Sequence, residues 1–551
     1  MPRENKADHT SAGQHRPGPG PGSSSGSTRR TFLQRSGAVT LAAGALAGGL
    51  ARPAYAATDS VYLDRQTWDA WHEEFYRSGV DGQPDEPNDD TAHGKSGGLG
   101  WGQSYVLAAL LRMYAAYGDT RYLDRLVENT DLVLSVRDSE RGVTDYKGES
   151  LPAWRANHPY TVGVVELLDA SGRPTLEVRV GRVYSSSTSV TVVAGSEPGT
   201  FDLTVLHSQS GNRRTYVGLS MDPASPNYVV RRLYDAYPAT VLGTARDLRE
   251  TPNAAGDPAP GTYQMTSLPT IFAVHTGMIT FPIASFVRLV RHSPPLREIP
   301  RYREKAEEFL HAVREAVAVH DQEWRENEAG EGTLIWRKGS AQQWDGSEQP
   351  INQTLGWGQT VAELAVITGE EEYRHRTRAM AKMLRGQLAV DAGDAYTWHY
   401  WPTFGNIYNG YPKTGSPETD ISLYNPNLAT PARQIEDVSH AAITVEFAAA
   451  AFRAHLGMDG RDLARLARTY TQNVAGGASA HVRVDGTGAL NPTYALQTPR
   501  WMPLAPWDEQ VFHHSLAVYE NYQPTPASLG GVFGWVLGNV AYLHQYARRG
   551  R

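Results

Sequence analysis

Pairs of amphipathic helices dominate the hydrophobic pattern of the chain. Apolar residues recur every three or four positions, as in Val106, Leu110, Met113 and Tyr117, which is typical of a helix with one buried face. A turn, usually with a glycine, separates each such segment from a second one. The pattern predicts four helical hairpins and the first half of a closing pair: 98–117 with 121–136, 275–291 with 302–320, 350–368 with 373–388, 438–456 with 461–474, and 529–549.

The stretch 161–265, called the β region below, has a different pattern. Apolar and polar residues alternate in 177–180, 189–193 and 201–205, between turns rich in Gly, Ser and Pro, as in β-strands. We therefore predict a mainly α fold: an α/α toroid of helical hairpins with an inserted β-rich domain. The toroid would comprise residues 57–160 and 266–551.

Four residues occupy the same position relative to the hairpin turns. Trp101, His275, Asn352 and His440 each lie 17 residues before a turn, at the N-terminal end of the first helix of a hairpin. If the first helices form an inner ring, these ends share one rim and the four side chains converge on one cavity. The positive ends of the helix dipoles would favour an anion there.

Residues 1–56 resemble a twin-arginine export signal. A Pro-, Gly- and Ser-rich start is followed by Arg29-Arg30, a weakly apolar run over 37–50 and a small-x-small site at Ala54-Tyr55-Ala56. The apolar run is too short for a permanent membrane anchor. We therefore expect a secreted protein with no stable membrane anchor.

Composition excludes several classes of protein. A hydrophobic fraction of 40% supports a large core and argues against a disordered chain. The absence of Cys excludes a disulfide scaffold, a thiol nucleophile and Cys-ligated zinc. A net charge of -7 argues against a nucleic-acid partner. There is no His-Glu-x-x-His, no Gly-rich phosphate loop and no Gly-x-Ser-x-Gly, so we expect no metal, no cofactor and no ordinary α/β-hydrolase.

Short motifs in a fixed order give a family resemblance. The motifs are Leu99-Gly100-Trp101-Gly102-Gln103, Gly118-Asp119-x-x-Tyr122-Leu123, His275-Thr276-Gly277-Met278-Ile279, Asn352-Gln353, Trp398-x-Tyr400 and Glu436-Asp437-x-Ser439-His440. This set resembles secreted α/α-toroid proteins grouped with glucuronan and alginate lyases and uronyl C5-epimerases, over most of 62–160 and 266–551. Within the β region, 201–205 and 219–230 resemble a β-domain of contractile phage-tail sheath proteins, which implies a similar fold and not a tail function.

The resemblance implies β-elimination on a uronate-containing polysaccharide. Such an enzyme neutralises the substrate carboxylate, removes the neighbouring C5 proton with a base, and protonates the leaving oxygen. His440 is the base candidate. Tyr408 or Tyr411 is the acid candidate. In an alternative assignment, one of these two tyrosines acts as a tyrosinate base instead. The remaining candidates are Asn352, His275 and Arg433 for the carboxylate, Trp101, Trp154, Trp357 and Trp401 for stacking on sugars, and Gln103, His399, Tyr400 and Glu436 for other substrate contacts.

Three alternatives remain open. A six-hairpin glycoside hydrolase would use two carboxylates. A uronyl C5-epimerase would begin with the same proton abstraction as the lyase. A non-catalytic glycan-binding protein would use the β region as its binding module. The hydrolase candidates are Glu436, Asp437, Asp145, Asp508 and Glu509, with 507–509 and His513-His514 as a second rim cluster.

Overall fold

The computed structural model of the protein describes residues 60–77, 97–182, 185–237, 243–250, 256–526 and 533–548. The predicted export signal lies outside these residues, as do the two ends of the predicted helix 529–549. The described part of the chain is mainly helical with some strands, as the hydrophobic pattern predicts.

The observed helices match the predicted hairpins within a few residues at each end. Short 3-10 helices cover Val61–Leu63, Asp321–Glu323 and Thr498–Leu504, and π-helical turns cover Leu99–Gln103 and Thr469–Val474. The α-helices are α1 (Arg65–Arg77), α2 (Ser104–Tyr117), α3 (Arg121–Ser135), α4 (Asp138–Arg141), α5 (Val229–Ala236), α6 (Ala273–His292), α7 (Pro294–Arg297), α8 (Pro300–Ala318), α9 (Ile351–Thr368), α10 (Glu371–Gln387), α11 (Asn406–Asn409), α12 (Val438–Arg453), α13 (Gly460–Arg468), α14 (Pro492–Ala495), α15 (Gln510–Tyr522) and α16 (Phe533–Arg548).

The first helices of the hairpins, together with a 3-10 helix and α16, form a closed circuit of contacts. Helix α2 contacts α6, α6 contacts α9, and α9 contacts α12. Helix α12 contacts the 3-10 helix Thr498–Leu504, which contacts α16, and α16 contacts α2. The second helices α3, α8 and α10 pack against α2, α6 and α9. Helix α16 packs against α1, where Trp68 Nε1 donates to the carbonyl of Leu537 at 3.1 Å. Helix α16 therefore belongs to the circuit and pairs with α1, and its place as the first half of a closing pair stays a prediction.

Helices α6 and α9 approach each other closely in this circuit. A Cβ atom on Gly277 would lie 2.0 Å from the carbonyl oxygen of Gly356, so the two backbones touch. The second Leu-Gly-Trp-Gly-Gln copy, at 355–359, lies inside α9 at this contact, and its Trp357 is in the core. The first copy forms the π-helical turn before α2, where Trp101 is only partly buried.

The described strands are β1 (Arg155–Ala156), β2 (Gly163–Leu168), β3 (Pro174–Val180), β4 (Thr188–Ala194), β5 (Phe201–His207), β6 (Asn212–Leu219), β7 (Ala245–Asp247), β8 (Gly261–Gln264), β9 (Thr266–Ser267), β10 (Thr270–Ile271), β11 (Trp324–Glu326), β12 (Gly332–Leu334), β13 (Ala389–Val390), β14 (Tyr396–Thr397), β15 (Ala475–Gly476) and β16 (Ser479–Ala480).

The strands of the β region, with β9 just beyond its end, form two four-stranded antiparallel sheets. The strand orders are β7-β3-β2-β9 and β6-β5-β4-β8, and the inner faces of the two sheets share a hydrophobic core. The strands predicted at 177–180, 189–193 and 201–205 are parts of β3, β4 and β5.

The β region is bonded to the loop 411–425 of the second helical part. Lys413 Nζ donates to the backbone carbonyls of Tyr234 and Tyr237 at 2.8 and 2.7 Å. The hydroxyl of Tyr234 donates to Asp420 at 3.1 Å. Because these bonds use main-chain acceptors at the end of α5, they fix the orientation of that helix on the loop.

One helix of the described chain, α6, is long and apolar enough to cross a membrane by length and composition. Most of its apolar window, 83%, is buried inside the fold. This burial is what a core helix of the circuit requires.

Candidate active site

The four residues predicted to share a rim lie at equivalent helix ends. Trp101 is in the turn that leads into α2, while His275, Asn352 and His440 are within the first three residues of α6, α9 and α12. Contacts divide them into two groups. The Trp101 ring meets the edge of the His275 ring at 5.4 Å, and Asn352 and His440 lie around Glu436.

Asp437 holds His440 in a fixed orientation. One Asp437 oxygen caps α12 and accepts from the backbone N–H groups of Ser439 and His440 at 3.0 and 3.1 Å. The other oxygen lies 2.5 Å from His440 Nδ1. Because Nδ1 is committed to this bond, Nε2 is the ring nitrogen left for a substrate, and it has no partner among the described residues. The His440 side chain is 24% exposed, so it is accessible to a small group from solvent.

The two groups form an ion pair at neutral pH. Burial alone lowers the pKa of His440, but the charge and hydrogen bond of Asp437 outweigh it and raise the pKa to about 8. Burial opposes ionisation of Asp437 as well. The His440 charge outweighs that effect and lowers the pKa of Asp437 to about 2.

Glu436 lies beneath this pair and is fully buried. Asn352 Nδ2 lies 3.5 and 3.4 Å from its two oxygens, within hydrogen-bond reach. Burial raises the pKa of Glu436 to about 8, so the carboxyl is protonated at neutral pH. Neither Glu436 nor Asn352 has surface open to a substrate in this conformation. Their predicted substrate contacts are therefore wrong for this structure: Glu436 lies in the interior next to the Asp437–His440 pair, and Asn352 lies beside Glu436.

His275 is also buried, among the rings of Trp101, Tyr160 and Phe272. Burial lowers its pKa to about 3, so the imidazole is neutral at physiological pH. The prediction that His275 neutralises a substrate carboxylate is not supported, because the ring carries no charge and is closed to solvent. Its Nδ1 atom has no hydrogen-bond partner among the described atoms.

An aromatic wall borders His440 on one side. The Tyr400 ring meets His440 edge-on at 5.3 Å and Trp401 at 5.2 Å. Trp401 meets Trp344 at 5.5 Å, and the guanidinium carbon of Arg182 lies 5.6 Å from the centre of the Trp344 ring. Burial raises the pKa of Tyr400, so its hydroxyl keeps its proton at neutral pH. Trp401 is 1% exposed and packs inside this wall, so its predicted stacking on a sugar is wrong.

Arg182 and Trp344 are the functional candidates that sequence reasoning missed. Arg182 follows β3 in the β region, whose place beside the helical site is not encoded in any local motif. Trp344 lies in a loop that shows no helical or strand-like pattern.

Three predicted residues form a second cluster nearby. Tyr408 Oη lies 3.4 Å from His399 Nε2, and His399 Nδ1 lies 3.0 Å from the carbonyl oxygen of Arg433. The guanidinium of Arg433 lies 5.3 Å from the centre of the Tyr408 ring. These side chains are partly or fully exposed, and the backbone of His399 joins them to Tyr400.

Several other predicted site residues belong to the protein interior. Tyr411 is buried, donates to the carbonyl of Asn425 at 2.9 Å, and has a pKa raised by burial, so it is neither an accessible acid nor a tyrosinate. Trp154 and Trp357 are buried in the helical core, where Trp154 Nε1 donates to the carbonyl of Val133. Gln103 is buried and reaches Asn129 on α3. These four predictions are wrong because the side chains face the core.

The alternative carboxylate cluster is also not assembled as a site. His514 is bonded to the Tyr470 hydroxyl and to the carbonyl of Ser479, which makes it a core histidine. Asp508 accepts from the backbone of Gln510, and Asp145 accepts from two backbone N–H groups of its own turn.

Glu436, Asp437 and His440 also form the one potential metal-ligand set within the described residues. Each offers a ligand atom within 4.8 Å of the others. In this conformation the facing atoms of Asp437 and His440 bind each other, and the second Asp437 oxygen caps α12. The absence of a metal and of a cofactor stays a prediction.

Comparison with known proteins gives distant structural similarity. No protein-family model matches the chain, and no curated protein matches it. An inactive variant of an α-1,6-mannanase from Salegentibacter sp. HEL1_6 in complex with α-1,6-mannotetrose is 13% identical, covering 50% of this chain and 76% of that chain, with a TM-score of 0.31. The same values hold for a second structure of that mannanase. A family 76 glycoside hydrolase from a bovine Bacteroides thetaiotaomicron strain is 9% identical, covering 68% and 95%, with a TM-score of 0.26.

These structures are described as glycoside hydrolases, and not as lyases, epimerases or tail-sheath proteins. TM-scores near 0.3 assign neither a reaction nor a substrate to this chain. The two family resemblances of the sequence stay hypotheses.

Proposed function

We propose that this protein is a glycan-cleaving enzyme built on an α/α toroid, with the β region inserted as a second domain. One observation carries the proposal: Asp437 fixes His440 Nδ1, and Nε2 is left open beside the aromatic wall. A histidine oriented by a carboxylate is a common arrangement for moving a proton during catalysis. A pKa near the working pH allows the same imidazole to accept and return that proton.

Elimination on a uronate is the first candidate reaction. In its neutral form, which predominates above the pKa of about 8, His440 would remove the C5 proton through Nε2. The C4–O bond would break, and the Tyr400 hydroxyl would give its proton to the leaving oxygen. Tyr400 suits this step because its ring contacts His440 and its phenol is protonated at neutral pH. The partly exposed groups of this pair are the His440 imidazole and the Tyr400 ring, which favours this reaction over one that needs two free carboxylates.

Hydrolysis is the second candidate, and the adjacent Glu436–Asp437 pair favours it. Their pKa values, about 8 and about 2, are separated in the way that an acid and a carboxylate require. Two observations rank it second. Glu436 is fully buried, and both oxygens of Asp437 are already bonded to α12 and His440.

The test is a panel of acidic and neutral polysaccharides, with product measured in two ways. Elimination creates an unsaturated sugar that absorbs ultraviolet light and also a reducing end. Hydrolysis creates the reducing end alone. His440→Ala should abolish either signal, and His311→Ala, at an exposed position on α8, is the matched control. Absence of product from every polysaccharide would refute cleavage. Glycan binding that survives His440→Ala would then support the binding protein, and solvent deuterium exchange at C5 would support the epimerase.

Export by the twin-arginine route is part of the same proposal. Its support is the order of Arg29-Arg30, the apolar run and the small-x-small site. Replacing both arginines with lysine should retain the protein inside the cell, as measured by fractionation. Equal secretion of the two forms would contradict the proposal.

A further inference from the structure

We infer that the β region contributes a specificity residue to the site: Arg182, which binds a negatively charged substituent of the glycan. The inference rests on the proposed function and names the substrate class of the same site. It also gives the insertion a direct part in substrate recognition.

The position of Arg182 follows from a chain of ring contacts that ends at the candidate base. Arg182 lies over Trp344, Trp344 contacts Trp401, Trp401 contacts Tyr400, and Tyr400 contacts His440. Each ring contact is between 5.2 and 5.5 Å. The Tyr400 phenol also lies close enough to Arg182 for the two to interact electrostatically, so a sugar placed on His440 Nε2 along Tyr400 would have the guanidinium on the same wall.

Arg182 has no carboxylate partner among the described residues. Its described neighbours are the Trp344 ring and the phenols of Tyr400 and Tyr160. Burial lowers the pKa of Arg182, as expected for a cation that has lost part of its water with no anion beside it. An anionic ligand would compensate for that loss.

The charges around His440 make the site positive within an acidic chain. The charges of Asp437 and His440 cancel, and Glu436 is neutral at physiological pH. Arg500 donates to the carbonyl of Ser439, in the first turn of α12, at 3.0 Å. It adds a second positive charge to that of Arg182. The whole chain has a net charge of -7, so the local excess of positive charge is not a property of the average surface.

A guanidinium is well suited to a planar anion. It offers a fork of N–H donors that matches a carboxylate, and it stacks on an aromatic ring at the same time. Both a uronate carboxylate and a sulfate ester present this chemistry.

The test measures binding without turnover, in a His440→Ala background, by isothermal titration calorimetry. The probes are oligosaccharides of glucuronate, galacturonate and alginate, a sulfated cello-oligosaccharide, and an unmodified cello-oligosaccharide as the neutral reference. The variants are Arg182→Gln and Arg182→Lys. The control is Arg213→Gln, which removes a charge from the exposed face of β6 in the same region. Melting temperatures establish that each variant is folded.

We expect Arg182→Gln to weaken binding of at least one acidic oligosaccharide about 10- to 100-fold, the range for a hydrogen bond to a charged group. Arg182→Lys should lose less, Arg213→Gln nothing, and neutral binding should not change. The probe that responds identifies the anion as carboxylate or sulfate. Acidic binding that is equal in Arg182→Gln and its parent would overturn the inference. Binding of neutral oligosaccharides alone by the parent would also overturn the inference. The proposed function would still stand after either of these two results. A parent that binds and cleaves no glycan would refute both.

Discussion

His440 Nδ1 lies 2.5 Å from Asp437 Oδ2, and the second oxygen of the same carboxylate caps α12. One side chain therefore starts the helix and orients the candidate base. Removing Asp437 would combine a structural effect with a chemical one, so a useful substitution must separate them.

Asp437→Asn provides this separation. Asparagine caps a helix about as well as aspartate, so the cap itself should change the free energy of unfolding by no more than a few tenths of a kcal/mol. Loss of the ion pair with His440 should lower the free energy of unfolding further. The pKa of His440 should fall below about 8, because burial and the charge of Arg500 both lower it once the carboxylate is gone. Activity should fall about 10²- to 10⁴-fold with loss of the oriented base. Proton NMR titration of the ring and the pH dependence of kcat/KM measure the two effects.

Ser439→Ala is the control for this prediction. It removes a hydroxyl that donates to Asp437 at 2.7 Å but leaves the charge in place, so the pKa of His440 should stay near 8. A His440 pKa that also stays near 8 in Asp437→Asn would show that the carboxylate does not control the imidazole.

Glu436→Gln should change how stability depends on pH. The pKa of Glu436 is raised to about 8 in the folded protein, against an ordinary value of 4.5. Below the ordinary value both states are protonated and the group costs nothing. Between the two values the unfolded state ionises and the folded state does not, so stability falls as the pH rises towards 8. Glutamine cannot ionise, so this loss should disappear.

Thermal melting at pH about 4 and about 8 measures the effect. Relative to its parent, Glu436→Gln should have an equal Tm at the lower pH and a higher Tm at the upper pH. Glu509→Gln, at an exposed position, should match its parent at both. A Glu436→Gln protein that is less stable than its parent at the upper pH would mean that the ionised carboxylate stabilises the fold.

Gly277→Ala should destabilise the protein by about 1–3 kcal/mol or more, as overpacking of a core does. The new Cβ atom would lie 2.0 Å from the Gly356 carbonyl oxygen, and backbone atoms on both sides cannot move without separating α6 from α9. Gly102→Ala is the matched control, because a Cβ atom there meets nothing within 4 Å. Denaturant unfolding compares them, and equal stability of the two variants would contradict the packing described here.

Local pattern was sufficient to predict the helical hairpins and the ends of α2, α6, α9 and α12. The sequence could not show which side of a helix faces the cleft. Trp357 and Trp101 share one motif, yet Trp357 lies in the core and Trp101 is only partly buried.

Long-range contacts account for the remaining differences. Arg182 reaches the site from a region whose docking depends on bonds to residues more than a hundred positions away, such as Lys413. Tyr411 and Tyr400 lie in one aromatic-rich segment but differ in burial. Tyr411 is buried and bonded to the carbonyl of Asn425, whereas Tyr400 is partly exposed. No periodicity within the segment distinguishes these two environments.

The last prediction concerns removal of the β region. Val164 and Thr266 are cross-strand neighbours on β2 and β9, so a two-residue turn can join them once 165–265 are deleted. We expect the product to keep the circular-dichroism signal of its helices and to lose acidic-glycan binding with Arg182.

Lys413 would lose its acceptors on Tyr234 and Tyr237, so trypsin should cleave after Lys413 in the deletion protein and not in the full chain. Lys413→Met in the deletion protein should remove that cleavage. An insoluble product would show that the helical part depends on the β region to fold. Resistance to trypsin at Lys413 would show that the loop 411–425 is held by the helices alone.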